Sequence, residues 1–124
     1  MRHQCNRNRL GRPQDQRKAL LRSLATELFL HGEIKTTISR AKALKPYAEE
    51  IITLAKRGDL HARRLAAKLI FDVETSKFVD SETGEVFAEL QEGKKLIPQT
   101  VLRKLFAEIG KQYENFTCLA VNEF

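Results

Sequence analysis

Apolar positions fall into blocks of helical spacing, separated by short polar or glycine-containing breaks. Leu20, Leu21, Leu24, Ala25, Leu28 and Phe29 recur at intervals of three and four. That spacing predicts a helix over 15–31 with one apolar stripe. Asp15 suits its N-cap and Gly32 its stop. Residues 33–38 alternate and are rich in β-branched types. They predict a short strand with Ile34, Thr36 and Ile38 on one face. Ser39 suits the cap of a second helix, about 40–57, with Leu44, Ala48, Ile51, Ile52 and Ala55 inward. Pro46 removes a hydrogen bond inside it, which predicts a kink or two shorter helices. Gly58 ends that segment, and Asp59 caps a third helix, about 60–71. Its inward residues are Ala62, Leu65, Ala66, Leu69 and Ile70.

The pattern changes at residue 72. Residues 72–92 hold seven acidic side chains and one basic, Lys77. Asp80 to Gly84 read as a turn between hairpin strands over 77–79 and 85–88. Residues 92–95 read as a loop. Pro98 precedes a fourth helix, about 99–110, with Val101, Leu102, Leu105, Phe106 and Ile109 inward and Gly110 closing it. Residues 116–121 read as a last strand. The expected fold is α+β: about four helices packed on a small mixed or antiparallel sheet, with a basic extended N-terminal arm. The expected organisation is one domain over 1–124. Within it lie the arm (1–14), a helical core (15–72), an acidic insertion (73–98) and a last helix and strand (99–124).

Composition narrows the class. A chain of 124 residues with 42% apolar content suits one domain with one core. The longest unbroken apolar run is four residues, Cys118 to Val121. That excludes a membrane-spanning helix over the chain given and leaves no apolar region for a secretory signal. Two cysteines, Cys5 and Cys118, are too few for a disulfide scaffold, so a reducing compartment is expected.

Charge is unevenly placed. Residues 1–68 carry 16 basic and 6 acidic side chains, whereas residues 69–124 carry 6 basic and 10 acidic. The N-terminal half is built to meet a polyanion and the C-terminal half is not. The arm places Arg2, His3, Arg7, Arg9 and Arg12 among Asn, Gln, Gly and Pro. It has too little apolar surface to fold alone. Arg17, Lys18 and Arg22 lie off the apolar stripe and extend this first basic cluster. Lys56, Arg57, His61, Arg63, Arg64 and Lys68 form a second at the junction of helices two and three. Lys35, Arg40 and Lys42 complete the candidate set. Arginine predominates, which suits bidentate phosphate contact. With two tyrosines, no tryptophan and phenylalanines mostly at core spacings, a single-strand reader with an aromatic platform is disfavoured. Folded RNA, held by shape and phosphate, fits better.

Catalytic chemistry finds no anchor in this pattern. The three histidines fall on different elements, neither cysteine has a partner at metal-ligand spacing, and Gly93-Lys94-Lys95 lacks the rest of a phosphate loop. Adjacent acids such as Glu49 and Glu50 read as a solvated helix face. Arg57-Gly58-Asp59 spells an adhesion tripeptide, but a helix stop followed by a helix cap explains it better. No enzyme activity, cofactor or metal is expected.

Several motifs are familiar in order and spacing. They are Met1-Arg-His, Leu10-Gly-Arg-Pro, Asp15-Gln-Arg-Lys-Ala-Leu-Leu-Arg, Ile34-Lys-Thr-Thr, Ala41-Lys-Ala-Leu, Ile52-Thr-Leu-Ala-Lys and His61-Ala-Arg-Arg. Together they resemble the bacterial-type large-subunit ribosomal protein number seventeen, without a gap over residues 1 to about 72. The Arg12-Pro-Gln-Asp-Gln-Arg version is most similar to cyanobacterial and plastid members. The resemblance implies a non-catalytic binder of large-subunit ribosomal RNA, near the peptide exit region, among neighbouring large-subunit proteins. It further implies a bacterial cytoplasmic or plastid location and no homo-oligomer. Arg2, His3, Lys35, Lys56, Arg63 and Arg64 match basic positions of that family. Residues 73–98 depart from it as an acidic insertion. Leu105 to Tyr113 resemble its last helix, after which one sheet strand and a basic loop are missing or rebuilt. Two other readings stand beside it: an RNA- or DNA-binding protein working off the ribosome, and an adaptor acting through the acidic insertion.

Overall fold

A computed structural model describes residues 8–112. Arg2, His3, Cys5, Arg7, Cys118 and the expected strand over 116–121 lie outside the described residues. The chain enters through a turn in which Leu10 and Gly11 both have positive φ and Arg12 N–H donates to the Arg9 carbonyl at 3.1 Å. Helix α1 (Gln14–His31) follows, with Pro13 at the N-cap position. Asp15 is therefore not the cap. It sits in the first turn, where its charge suits the positive end of the helix dipole. Gly32, at φ 83°, terminates α1 as expected.

The expected strand over 33–38 is absent. Residues 33–37 run without regular structure into α2 (Ile38–Arg57), whose N-cap is Thr37 rather than Ser39. Alternating β-branched residues favour extended backbone, but a strand needs a partner edge. Ile34 instead packs against the helical core. Helix α2 continues through Pro46 as one 20-residue element rather than two helices. Pro46 and Lys42 both lie on the exposed side, so the carbonyl deprived of its partner is open to water. Helix α3 (Leu60–Leu69) follows at once, and Asp59 caps it by accepting the Ala62 N–H at 2.9 Å.

Strands β1 (Glu74–Asp80), β2 (Val86–Phe87) and β3 (Leu96–Thr100) form an antiparallel sheet in the order β2-β1-β3. The hairpin was legible. At its turn Asp80 accepts the Glu82 N–H at 2.9 Å, and Gly84 adopts φ 75°. That backbone N–H, followed by the Thr83 hydroxyl and Lys94, holds the Asp80 carboxyl below its ordinary pKa. Strand β3 lies where the sequence pattern gives only a loop over 92–95 and Pro98 before a helix. Pro98 is tolerated because β3 is an edge strand, standing opposite Phe78.

The last helix, α4, starts at Val101 rather than 99. It runs as an α segment (Val101–Lys104), a π segment (Leu105–Ile109) and a closing turn (Gly110–Gln112). Val73 O and Asp72 Oδ1 accept the N–H groups of Val101 and Leu102, at 2.9 and 3.3 Å. Two of the unpaired donors of a helix start are thus satisfied. Gly110 does not close the helix; its φ of −58° is helical. A Cβ there would lie 2.7 Å from the Ala55 carbonyl oxygen of α2, so glycine lets the two backbones meet. Alanine normally favours a helix interior by about 1 kcal/mol over glycine. Gly110→Ala is nevertheless expected to lower stability by about 1–2 kcal/mol in urea unfolding, because overpacking outweighs propensity.

The architecture is α+β, with four helices and a three-stranded antiparallel sheet among the described residues. The core is helical. It joins Ala25 and Phe29 of α1, Leu44, Ala48, Ile51, Ile52 and Ala55 of α2, Ala66 and Ile70 at α3, and Val101, Leu102, Leu105 and Ile109 of α4. Alanines at 0% exposure on α1, α2 and α3 allow close helix approach. No side chain between 71 and 100 belongs to this hydrophobic cluster.

Candidate nucleic-acid interface

The expected basic residues divide into those on the surface and those used by the fold. Arg9, Arg12, Lys18, Lys35, Lys42, Lys56, Arg57, His61, Arg64 and Lys68 are exposed, whereas Arg17, Arg22, Arg40 and Arg63 are half-buried. His61, Arg64 and Lys68, at spacings of three and four, share one exposed face of α3. Arg63 turns away from them, its guanidinium 5.6 Å from the Phe106 ring centre.

Arg22 is a structural group in this fold. Its guanidinium donates to the Ile70 carbonyl at 3.0 Å and the Ala67 carbonyl at 3.5 Å, and lies 4.5 Å from the centre of the Phe71 ring. These carbonyls belong to the end of α3, which leaves acceptors unpaired. Tyr47 OH donates to the Leu69 carbonyl beside them. Burial raises the Tyr47 phenol pKa, opposed by Arg22 and reinforced by Glu50. The Thr26 hydroxyl accepts the Phe71 N–H at 3.0 Å and donates to the Arg22 carbonyl at 2.8 Å. Three side chains from α1 and α2 thus fasten the exit of α3. Arg22→Ala is expected to cost about 1–2 kcal/mol of stability, read by thermal unfolding, because a part-buried bond from a charged donor and the stacking on Phe71 are lost.

The same region joins the two basic clusters. A groove between α1 and α3 is lined by the cations Lys18, Arg22 and Lys68, by Tyr47, Leu69, Phe71 and Ala19, and by one acid, Asp15. Lys18 brings the arm-side cluster to it and Lys68 the α3 cluster. Phe71, 41% exposed, was not singled out by sequence reasoning, since its position reads only as the end of the third helix. Lys104 was also missed: its Nζ donates to the Leu30 carbonyl at 3.0 Å and fastens the end of α1. Lys35, Arg40 and Lys42 stand elsewhere, at the α1–α2 connection. Lys56 lies fourteen positions beyond Lys42 in α2, about 21 Å along the axis. The cations therefore form two areas at opposite ends of α2 rather than one patch.

The junction of α2 and α3 is built as a cap. Gly58 has φ 71°, and Arg57 pairs with Asp59 at 3.2 Å on the exposed surface. The Ala62 N–H above all, with Arg57 and His61 behind it, holds the Asp59 carboxyl below its ordinary value of 3.8. A carboxyl with a depressed folded pKa contributes stability above its unfolded pKa and loses it as pH falls through the folded value. Stability measured from pH 6 to 2 is expected to fall below about pH 4 in the parent. The fall should be shallower in Asp59→Asn, which keeps an acceptor without the titration.

Among the described residues no group of three or more His, Cys, Asp or Glu is placed to hold a metal ion, and no helix is long and apolar enough to cross a membrane. His31 and His61 lie at the end of α1 and the start of α3, and His31 Nε2 faces Glu27 at 3.0 Å. What the geometry offers is a helical body with cations on two of its areas and an acidic sheet attached to one end. A family model described as ribosomal protein L17 matches residues 20–118. The match begins inside α1 and runs across the sheet and α4. The chain therefore belongs to the ribosomal protein L17 family, non-enzymatic structural components of the large ribosomal subunit.

Proposed function

We propose that this chain binds folded large-subunit ribosomal RNA and holds separate RNA segments together, near the peptide exit region that the family resemblance implies. The observation that carries this reading is the convergence of Lys18 and Lys68 on one groove, continuous with the exposed Arg64 and His61 of α3. Phosphate contacts position a protein on RNA without requiring base readout. The N-terminal segment, with Arg2, His3, Arg7, Arg9 and Arg12, adds a second point of attachment through phosphate contacts. Arg17 extends it. Lys35, Arg40 and Lys42 form the third point, at the far end of α2, beyond Lys56 and Arg57. Neutralising phosphates on separate strands lets RNA helices approach each other.

Ten phosphate contacts give a log-affinity slope against log salt of about −7 to −9. Hydroxyl-radical footprinting of large-subunit RNA with the full chain tests the reading. Backbone protection in at least two segments distant in RNA sequence supports it. Protection confined to one short segment, or none, contradicts it.

A further inference from the structure

Residues 74–100 project from the helical body. They add no side chain to the hydrophobic cluster, and they join the body through Asp72 and Val73, through the Pro98 carbonyl, which accepts from Arg103 at 3.4 Å, and through Gln99, 1% exposed with its amide donating to Glu108 at 3.2 Å. Antiparallel sheets commonly leave one face to solvent, and that face is then polar; among the described residues, an exposed face of this sheet is aliphatic. Val79 stands opposite Val86 on one side and Ile97 on the other, so three aliphatic side chains share that face. Val86 is 40% and Ile97 38% exposed, and Leu90, at 72%, follows between Glu89 and Glu92. The opposite face is better covered. Phe78 stands between Phe87 and Pro98, and Lys94 Nζ lies 4.2 Å from the centre of the Phe87 ring.

Charge and edge geometry select the occupant. Six acids against three bases over residues 74–100, with Lys94 facing Glu85 at 4.0 Å, leave a net charge of −3 that repels phosphate and attracts a cationic chain. Strand addition is disfavoured, because β2 has two residues and β3 carries Pro98. What remains is docking on the open aliphatic face. We propose that the Val79, Val86 and Ile97 face, with Leu90 and its flanking acids, docks a Lys/Arg-rich segment of a neighbouring large-subunit protein through an apolar anchor. This rests on the chain sitting in the large subunit by its basic areas, which leaves the sheet turned toward protein.

The test uses the full chain with a photoreactive amino acid in place of Leu90, incorporated into large subunits in cells. Salt-washed subunits are irradiated, treated with ribonuclease, and the adducts mapped. The expected result is a ribonuclease-resistant adduct to a net basic segment of one large-subunit protein. It should fall more than fivefold when Val86→Ser and Ile97→Ser are combined. A second variant, with Glu85→Gln, Glu89→Gln and Glu92→Gln, should weaken it similarly and alters only exposed side chains. A ribonuclease-sensitive adduct, an adduct to a neutral or acidic segment, or no adduct from incorporated chain overturns the docking proposal alone. Failure of the parent chain to enter large subunits overturns the RNA-scaffold reading and this proposal with it.

Discussion

Replacing Lys18, Arg64 and Lys68 together by alanine is expected to weaken binding to large-subunit RNA by roughly a hundredfold or more at 0.1 M salt, and to flatten the salt dependence. Each lost phosphate contact removes about 0.7–0.9 from the log–log slope, so three remove about 2–3. Among the described residues no salt bridge ties these three side chains, and all are exposed. The substitutions should therefore leave the unfolding midpoint nearly unchanged. Two comparisons sharpen the result. Arg22→Ala should lower stability while moving the slope little, because the fold already uses that guanidinium. Arg63→Ala should fall between the two, since its guanidinium rests near Phe106. Binding titrations from 0.05 to 0.3 M salt check all three. An unchanged slope in the triple variant would remove the groove and the α3 face from the interface.

Leu105→Ala is expected to have the largest effect on the fold itself. Leu105 is 0% exposed and opens the π segment of α4, where that helix packs on α2. Truncating a leucine at such a site costs about 2–5 kcal/mol, part transfer energy and part unfilled cavity. Against a total of about 5–15 kcal/mol, that is a large share. Thermal unfolding should shift down by about 10–20 °C. A shift of only a degree or two would mean that α4 is not part of the cooperative core. The contrast with the triple variant separates the two layers of the account: one loses RNA and keeps the fold, the other loses the fold.

The helices could be read from the chain because their burial is periodic. Ala25, Phe29, Ala48, Ile51, Ile52, Ala55, Ala62, Ala66 and Ile70 fall where the stripes put them. Both glycine stops, Gly32 and Gly58, and the Asp59 cap are local signals that the structure matches, whereas the caps expected at Asp15 and Ser39 give way to Pro13 and Thr37. The larger failures are non-local. Residues 33–37 have the composition of a strand, but the sheet formed elsewhere. Strand β3 was hidden because Pro98 argues against a central strand and says nothing against an edge. Gly110 looked like a stop, and only the approach of Ala55 shows why a glycine is needed inside the helix. The candidate interface follows the same rule. Composition identified the cations, but not that Arg22 fastens the end of α3, that Lys18 and Lys68 meet across one groove, or that Lys42 and Lys56 stand at opposite ends of α2.

A cryo-electron-microscopy structure of the native large subunit containing this chain tests the central claim most directly. The account predicts Lys18, Arg64 and Lys68 within ion-pair distance, about 4 Å, of ribosomal RNA phosphates, with the sheet over 74–100 turned away from RNA. A subunit in which the α1–α3 groove faces solvent, or in which the acidic sheet lies along the RNA backbone, would contradict it.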